Sequence, residues 1–283
     1  MTTPLRVYHG FCGYRCGNAG DMITGPLVHA LGGPEVQVVA EPEKADLFGS
    51  GSLLDGTHPN VVPPDSTAFV WGTGMLSEWS RFGGSARILA LRGPLSWVRA
   101  GRPDVPLGDP GLLAPRLWPR EHHKRYKLGI IPHYVDAQDE RISTLARRHQ
   151  NDVTVIDICG SLGDTMRAIT SCRAVLSSCL HGLVFAAAYG VPNAWIRLSD
   201  KLVGGSFKFR DFAASLGLPD VMPIEFTSAE TLEELADQCS VPDAATVTAI
   251  GDALIVALRA GIAQWTAEQE PAVPEGEAPE EEP

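Results

Sequence analysis

His181 stands in the stretch AVLSSCLHGLVFAAAYGVP (174–192), between a short apolar run and an alanine-rich segment. The run 174–176 reads as a buried strand. Residues 180–189 read as a helix from their Ala, Leu, Val and Phe content. Gly190 and Pro192 stop that helix, and a second apolar strand is expected over 193–198. His181 thereby falls at the carboxyl end of a strand and in the first turn of a helix. Ligands bind at that edge in open α/β sheets, and the helix N-terminus offers unpaired N–H groups to an anion. An imidazole in such a place can exchange protons near neutral pH. The competing role is a capping or packing histidine, and local sequence leaves both open.

Two cations hold comparable positions. Arg92 ends the apolar strand expected over 88–91 and begins Arg92-Gly93-Pro94, where Pro94 can open a helix over 95–100. Lys201 follows the strand after His181, in the irregular segment 199–217, which also carries Lys208 and Arg210. Arg grips a carboxylate or phosphate bidentately, whereas Lys acts as a compact charge. Arg92, His181 and Lys201 are therefore the expected catalytic set, holding a small anion and moving protons beside it. A plain surface role for Arg92 is the alternative. Asn18 and Asp21 close a glycine-rich turn, where capping or substrate-facing residues sit. With Ser178, Cys179 and Lys208 they are candidates for substrate binding. His9, Cys12 and Cys16 lack a fourth ligand at zinc-like spacing, so no metal is expected.

These residues need a frame. Strands are expected over 5–8, 36–39, 45–48, 67–71, 88–91 and 105–109, with a helix over 22–31. The composition then changes to Pro, His, Lys and Arg over 119–127, read as a linker. Alternation resumes with strands over 127–131, 153–158, 174–176 and 193–198, helices over 139–149, 162–170 and 180–189, and closing helices over 231–238 and 244–265. The expected organisation is an α/β domain over 1–118, a second over 128–267, and an acidic, disordered tail over 268–283. Without a GxGxxG fingerprint, this pattern suggests two Rossmann-like domains facing across a cleft.

The net charge is −11, and seven of the negative charges are glutamates of 268–283, so the body carries about −4. Such a body lacks the basic face that broad nucleic-acid binding requires. The first ten residues contain no apolar signal core. The longest apolar run, around 183–196, is broken by Gly190 and Pro192 and is too short to span a bilayer. Six cysteines in 283 residues do not read as a disulfide scaffold, so a cytoplasmic chain with reduced thiols is expected.

The pieces GNAGDMITGPLV, WGTGM, LRGPLS, LGDPGLL, SSCLHGLVFAAAYGVP and KFRDFAASLGL occur in that order from about residue 18 to 217. Together they resemble the polysaccharide pyruvyl transferase family. The resemblance implies a fold similar to two-domain glycosyltransferases of the B type. It also implies transfer of the enolpyruvyl unit of phosphoenolpyruvate to two hydroxyls of a sugar, making a cyclic ketal and releasing phosphate. His181 matches the family's key histidine, Arg92 the arginine of its strand-exit RG motif, and Lys201 a lysine about twenty residues past the histidine. The implied partners are phosphoenolpyruvate and a glycan or lipid-linked saccharide of exopolysaccharide or cell-wall synthesis, with no further cofactor and with a homo-oligomer possible. Many members carry Arg two residues before the histidine, where this chain has Cys179, which means one fewer cation for the donor. Two alternatives stand beside this reading. One is a nucleotide-sugar glycosyltransferase, marked by a nucleobase and diphosphate pocket in the second domain. The other is a catalytically silent glycan-binding relative.

Overall fold

The computed structural model describes residues 3–9, 17–55, 61–120 and 123–270. The first half runs β1 (Leu5–Tyr8), α1 (Ala19–Met22), α2 (Thr24–Ala30), β2 (Val36–Val39), β3 (Leu47–Phe48), β4 (Phe69–Trp71), β5 (Arg87–Ala90) and α3 (Pro94–Arg99). Its five strands form a sheet in the order β2-β1-β3-β4-β5, and every pairing is parallel. The second half runs β6 (Tyr126–Ile131), α4 (Glu140–Arg148), β7 (Val153–Val155), α5 (Leu162–Thr170), β8 (Cys172–Ser177), α6 (Leu180–Ala188), β9 (Asn193–Arg197), α7 (Phe207–Ser215), β10 (Ile224–Glu225), α8 (Leu232–Asp237) and α9 (Ala244–Gln269). Its sheet, β10-β9-β8-β6-β7, is also parallel throughout. The chain is thus α/β with two five-stranded parallel sheets. Parallel strands are covered on both faces, which is why β4 and β8 read as continuous apolar runs.

Local chemistry explains most departures from the sequence reading. The helix expected over 22–31 begins earlier and in two pieces. Asn18 Oδ1 accepts from the N–H groups of Gly20 (2.8 Å) and Asp21 (3.2 Å) and so starts α1. Pro26 lies in the first turn of α2, where its missing N–H is not needed. The strand expected over 105–109 is reduced to one parallel bridge, Leu91 to Leu107, because Pro106 cannot donate to a ladder. Within the irregular segment 199–217 there is a helix, α7, held by buried Phe207, Phe209 and Phe212.

The last helix changes the expected domain division. α9 does not close the second half; it packs on β4 and β5 of the first. Trp71 Nε1 donates to Leu254 O at 2.9 Å, and Leu254 and Leu258 are fully buried. One apolar cluster runs from Leu5 and Trp71 through α9 and Leu113 to Phe185, Val175 and Met166, so the halves share a core. By length and composition α9, at 26 residues and a hydropathy of 1.6, is able to cross a membrane. The run 183–196 is therefore not the segment on which the membrane question turns. Much of α9's apolarity comes from alanine, whereas Leu254, Leu258 and Trp265 are buried. The helix continues to Gln269, and Glu268 pairs with Arg87, so the expected tail begins inside it. Residues 271–283 lie outside the described ones.

Candidate functional site

The sharp exit from β8 places His181. Cys179 N–H donates to Ser177 Oγ (3.0 Å), and the same hydroxyl donates to the carbonyl of Cys179 or Ile131, turning the chain from strand into α6. The imidazole is then 4 % exposed, lying among residues that follow strand ends of the first half. Its Nδ1 is 3.1 Å from Asn18 Oδ1, beyond β1, and its Nε2 is 3.1 Å from Ser50 Oγ, beyond β3. Ser50 Oγ also lies 3.0 Å from Asp109 Oδ1, whose carboxylate caps the 3-10 turn Pro110–Arg116 through Gly111 N–H at 2.8 Å. At the other end Asn18 Nδ2 donates to Asp21 Oδ2 at 2.6 Å. A polar chain, Asp21–Asn18–His181–Ser50–Asp109, thus joins the carboxyl ends of both sheets. Only glycine fits at position 20, because a Cβ there would lie 1.8 Å from His181 Cγ.

Burial sets the charges of this chain. It drives the His181 imidazole down to about 3, with Lys208, Arg92 and His133 adding repulsion. It raises Asp21 to about 7, against the attraction of Lys208 and with the help of Asp109. Asp109 rises to about 6 for the same reason, opposed by the Gly111 N–H, Arg92 and Ser50. Two carboxyl groups that titrate near neutrality therefore flank a neutral imidazole. This is the kind of perturbation found where protons are moved.

Lys208 extends inward from α7. It is 9 % exposed, and its ammonium makes no hydrogen bond or ion pair among the described residues, lying 5.6 Å from the Phe209 ring centre. Burial lowers its pKa, which Cys179, Asp21 and Asp136 counter and Arg92 reinforces. Cys179, the N-cap of α6, is buried, and burial raises its thiol pKa. Ser178 Oγ donates to Asp136 Oδ2 at 2.9 Å, Ser199 Oγ donates to Asp136 Oδ1 at 2.5 Å, and His133 N–H donates to Ser178 Oγ at 2.9 Å. A hollow of about 380 Å³ opens beside Ser178, lined among others by Trp195, Ser199, Phe209, Arg210 and Met222.

The expected catalytic three are not gathered in one place. Arg92 is fully buried and donates four hydrogen bonds to the described residues. Nε reaches Asp211 Oδ2 (3.1 Å), Nη1 reaches Gly51 O and Ser52 Oγ (3.1 and 2.8 Å), and Nη2 reaches Met75 O and Asp211 (2.6 and 3.0 Å). Its contacts describe a clamp between the halves rather than a free anion-binding group. Lys201 is exposed on the loop before α7, its N–H bonded to Ser199 and its charge acting on Asp139. Asn18 meets His181 and links it to Asp21, Ser178 and Cys179 lie on the β8 exit just before it, and Lys208 acts on it from α7. Sequence reasoning missed Ser50, Asp109, Asp136 and Asp211. The available signal was position, since Ser50 and Asp109 each follow an expected strand. Among the described residues no three His, Cys, Asp or Glu side chains are placed to hold a metal. His9 is buried with Nε2 unpartnered, and Cys12 and Cys16 lie outside the described residues.

The fold and site define an α/β protein in which a chain of hydrogen-bonded polar groups at the strand ends lies beside a buried lysine. Residues 64–200 match the family model for polysaccharide pyruvyl transferase. Succinoglycan biosynthesis protein ExoV of Rhizobium meliloti (strain 1021) is 30 % identical over 203 residues, 66 % of this chain and 59 % of that protein. An uncharacterized protein, L143, of Acanthamoeba polyphaga mimivirus is 32 % identical over 178 residues, 59 % of each chain. The chain spans 59 % of the length of both curated relatives. Among solved structures, AviGT4, a glycosyltransferase involved in avilamycin A biosynthesis, aligns over 93 % of this chain and 98 % of its own, with a TM-score of 0.44 and 12 % identity.

Proposed function

We propose that this protein transfers the pyruvyl unit of phosphoenolpyruvate to a diol of a glycan, giving a pyruvate ketal in polysaccharide synthesis. The observation that carries the reading is Lys208, a buried residue whose ammonium makes no hydrogen bond or ion pair among the described residues, beside the N-terminus of α6. A buried charge is costly unless it meets an opposite one, and a helix of this length adds N–H groups that favour an anion. The carboxylate or phosphate of the donor would complete the site. Lys208 brings positive charge beside Cys179, where the family resemblance would place an arginine.

In the reaction both hydroxyl oxygens add to C2 of the donor, one proton goes to the methylene carbon, and phosphate leaves with the second hydroxyl proton. His181 is the group suited to exchange those protons. Since its nitrogens are bonded to Asn18 and Ser50, one of these partners gives way to the reacting hydroxyl. The hollow beside Ser178 is the proposed seat of the acceptor saccharide.

Incubation with phosphoenolpyruvate and glycan acceptors, in the presence of EDTA, should release phosphate and yield a ketal detectable by mass spectrometry. Failure with every acceptor, with phosphoenolpyruvate binding absent, would remove the proposal. One observation favours a second reading: the hollow lies in the second half and is mostly apolar, as a nucleobase pocket would be. A nucleotide-sugar glycosyltransferase would bind a uridine or guanosine diphosphate sugar there and ignore phosphoenolpyruvate. A silent glycan-binding relative would bind saccharide and turn over neither donor.

A further inference from the structure

Ser50 Oγ lies 3.0 Å from Asp109 Oδ1 and 3.1 Å from His181 Nε2. Two hydrogen bonds among these three heavy atoms need two hydrogens, and the hydroxyl brings one. The hydroxyl proton directed at Asp109 Oδ1 leaves the oxygen lone pair facing Nε2, so the ring must present a proton there. Nδ1 must present one as well. Its partner, Asn18 Oδ1, accepts from Gly20 N–H and Asp21 N–H and is therefore the carbonyl oxygen of that side chain. A ring carrying both protons is a cation, and burial, Lys208, Arg92 and His133 all oppose it. A proton on the Asp109 carboxyl resolves the conflict: donated from Oδ1 to Ser50 Oγ, it frees the hydroxyl proton for Nε2, and both bonds form with a neutral ring. Oδ2 is buried without any hydrogen-bond partner and lies 3.8 Å from Nε2.

We propose that Asp109 and His181 hold one proton in common across the boundary between the halves, with Ser50 as the relay between them. Asp109 is thereby the positioning residue that keeps His181 able to accept and return a proton. The step balances without a co-reactant: Asp109 Oδ1 gives its proton to Ser50 Oγ as Ser50 gives its own to His181 Nε2, forming carboxylate and imidazolium, and the reverse transfer makes both neutral. Coupled groups of this kind titrate as a pair. The other ionisable groups around them are Lys208 from α7, Arg92 and Asp211 of the clamp, His133 beyond β6, and Asp21 at the far end of the chain. The order acid–serine–histidine differs from that of a hydrolase triad, in which the histidine lies between acid and serine. Ser50 is a proton relay here and not a nucleophile. The inference rests on the reading of His181 as the proton-exchanging group, but its geometry does not depend on which donor is bound.

The test follows the His181 ring ¹⁵N and Asp109 carboxyl ¹³C signals of the full chain from about pH 5 to about pH 9, the range in which a histidine switches. His181→Gln supplies the assignment. The two sets of signals should move together in one step, with Nδ1 protonated throughout. In Asp109→Asn the side-chain oxygen still accepts from Gly111 N–H, so the fold is kept, and the step in the ring signals should vanish. Turnover of that variant should fall by roughly a hundredfold or more with the donor KM within about twofold, as for loss of assisted proton transfer. Ser50→Ala should uncouple the two titrations without removing either titrating group. Independent movement of the two signals in the wild-type protein, or a ring titration unchanged in both variants, would overturn the proposal. If the wild-type protein releases no phosphate from phosphoenolpyruvate, the donor reading fails, while the shared proton is still decided by the spectra.

Discussion

Replacing Arg92 by Met separates a scaffold role from a donor-binding role. The guanidinium donates four hydrogen bonds, to Asp211, Gly51, Ser52 and Met75, and forms an ion pair with Asp211 in which both side chains are fully buried. Asp211 in turn accepts from Ser96 N–H at 2.9 Å and Ser96 Oγ at 2.6 Å, so it is fixed to the first turns of α3 and cannot swing out to water. Removal of one partner from a buried pair costs ~3–5 kcal/mol because the other charge is left uncompensated. At 2–4 °C per kcal/mol for a chain of this size class, the melting temperature should fall by roughly 6–20 °C. Thermal and urea unfolding of Arg92→Met, Asp211→Asn and the double variant measure this directly. The double variant should recover much of the loss, since it removes both charges while Asn keeps an acceptor for Ser96 N–H. A single variant that melts within about 2 °C of the wild type, but needs far more phosphoenolpyruvate, would refute the clamp and restore Arg92 as a donor ligand.

Four further outcomes follow from the same contacts. Lys208→Met should have the opposite sign: removing a buried unpaired charge leaves the protein as stable or more so, while titration with phosphoenolpyruvate shows binding lost. Gly20→Ala must move His181 or α1, because its Cβ would lie 1.8 Å from the ring; overpacking of this kind costs ~1–3 kcal/mol, and turnover should fall further than stability does. The carboxyl group of Asp21, raised to about 7, binds more protons in the native than in the unfolded state, so its contribution to stability is lost as pH rises from about 4 to about 7. Urea midpoints across that window should therefore gain with pH in Asp21→Asn relative to the wild type. Truncation after Ala267 removes the partly exposed Glu268–Arg87 pair and should cost at most about 1 kcal/mol in a denaturant titration.

The strand ends were legible because parallel strands buried on both faces are apolar runs closed by Gly, Pro or polar residues, as around 88–91 and 174–177. The partners of the residues at those ends were not. Asp211 is 119 residues from Arg92, and nothing local marks the two as an ion pair, so Arg92 read as a free cation. Lys201 and Lys208 looked alike for a similar reason. The segment 199–217 carries Gly204-Gly205-Ser206 and three phenylalanines with no clear period. Its helix forms because Phe207, Phe209 and Phe212 are buried, with Phe209 stacked on Trp195 at 4.3 Å. That packing turns Lys208 inward and leaves Lys201 outside. The helix over 244–269 was legible, but which sheet it covers depends on Trp71 and the close packing of Gly261 on Leu89, and neither contact has a local signature.

The boundary between the halves is held unequally at its two polar centres, which decides how substitutions there should sort. At Arg92 a buried ion pair and several carbonyl bonds act together, and loss of one partner leaves a charge stranded. At His181 the links to Asn18 and Ser50 are bonds of a ring held neutral by burial, each contributing a net ~0.5–1.5 kcal/mol. Both centres are equally dry, so burial does not separate them; the penalty for breaking each does. A substrate hydroxyl can replace Asn18 or Ser50 at the imidazole with little loss, since one hydrogen bond is exchanged for another. No neutral group can replace Asp211 at Arg92 on those terms. The contacts of Arg92 therefore suit the frame, and in the proposed reaction the chemistry falls to the side that gives way most readily, at His181.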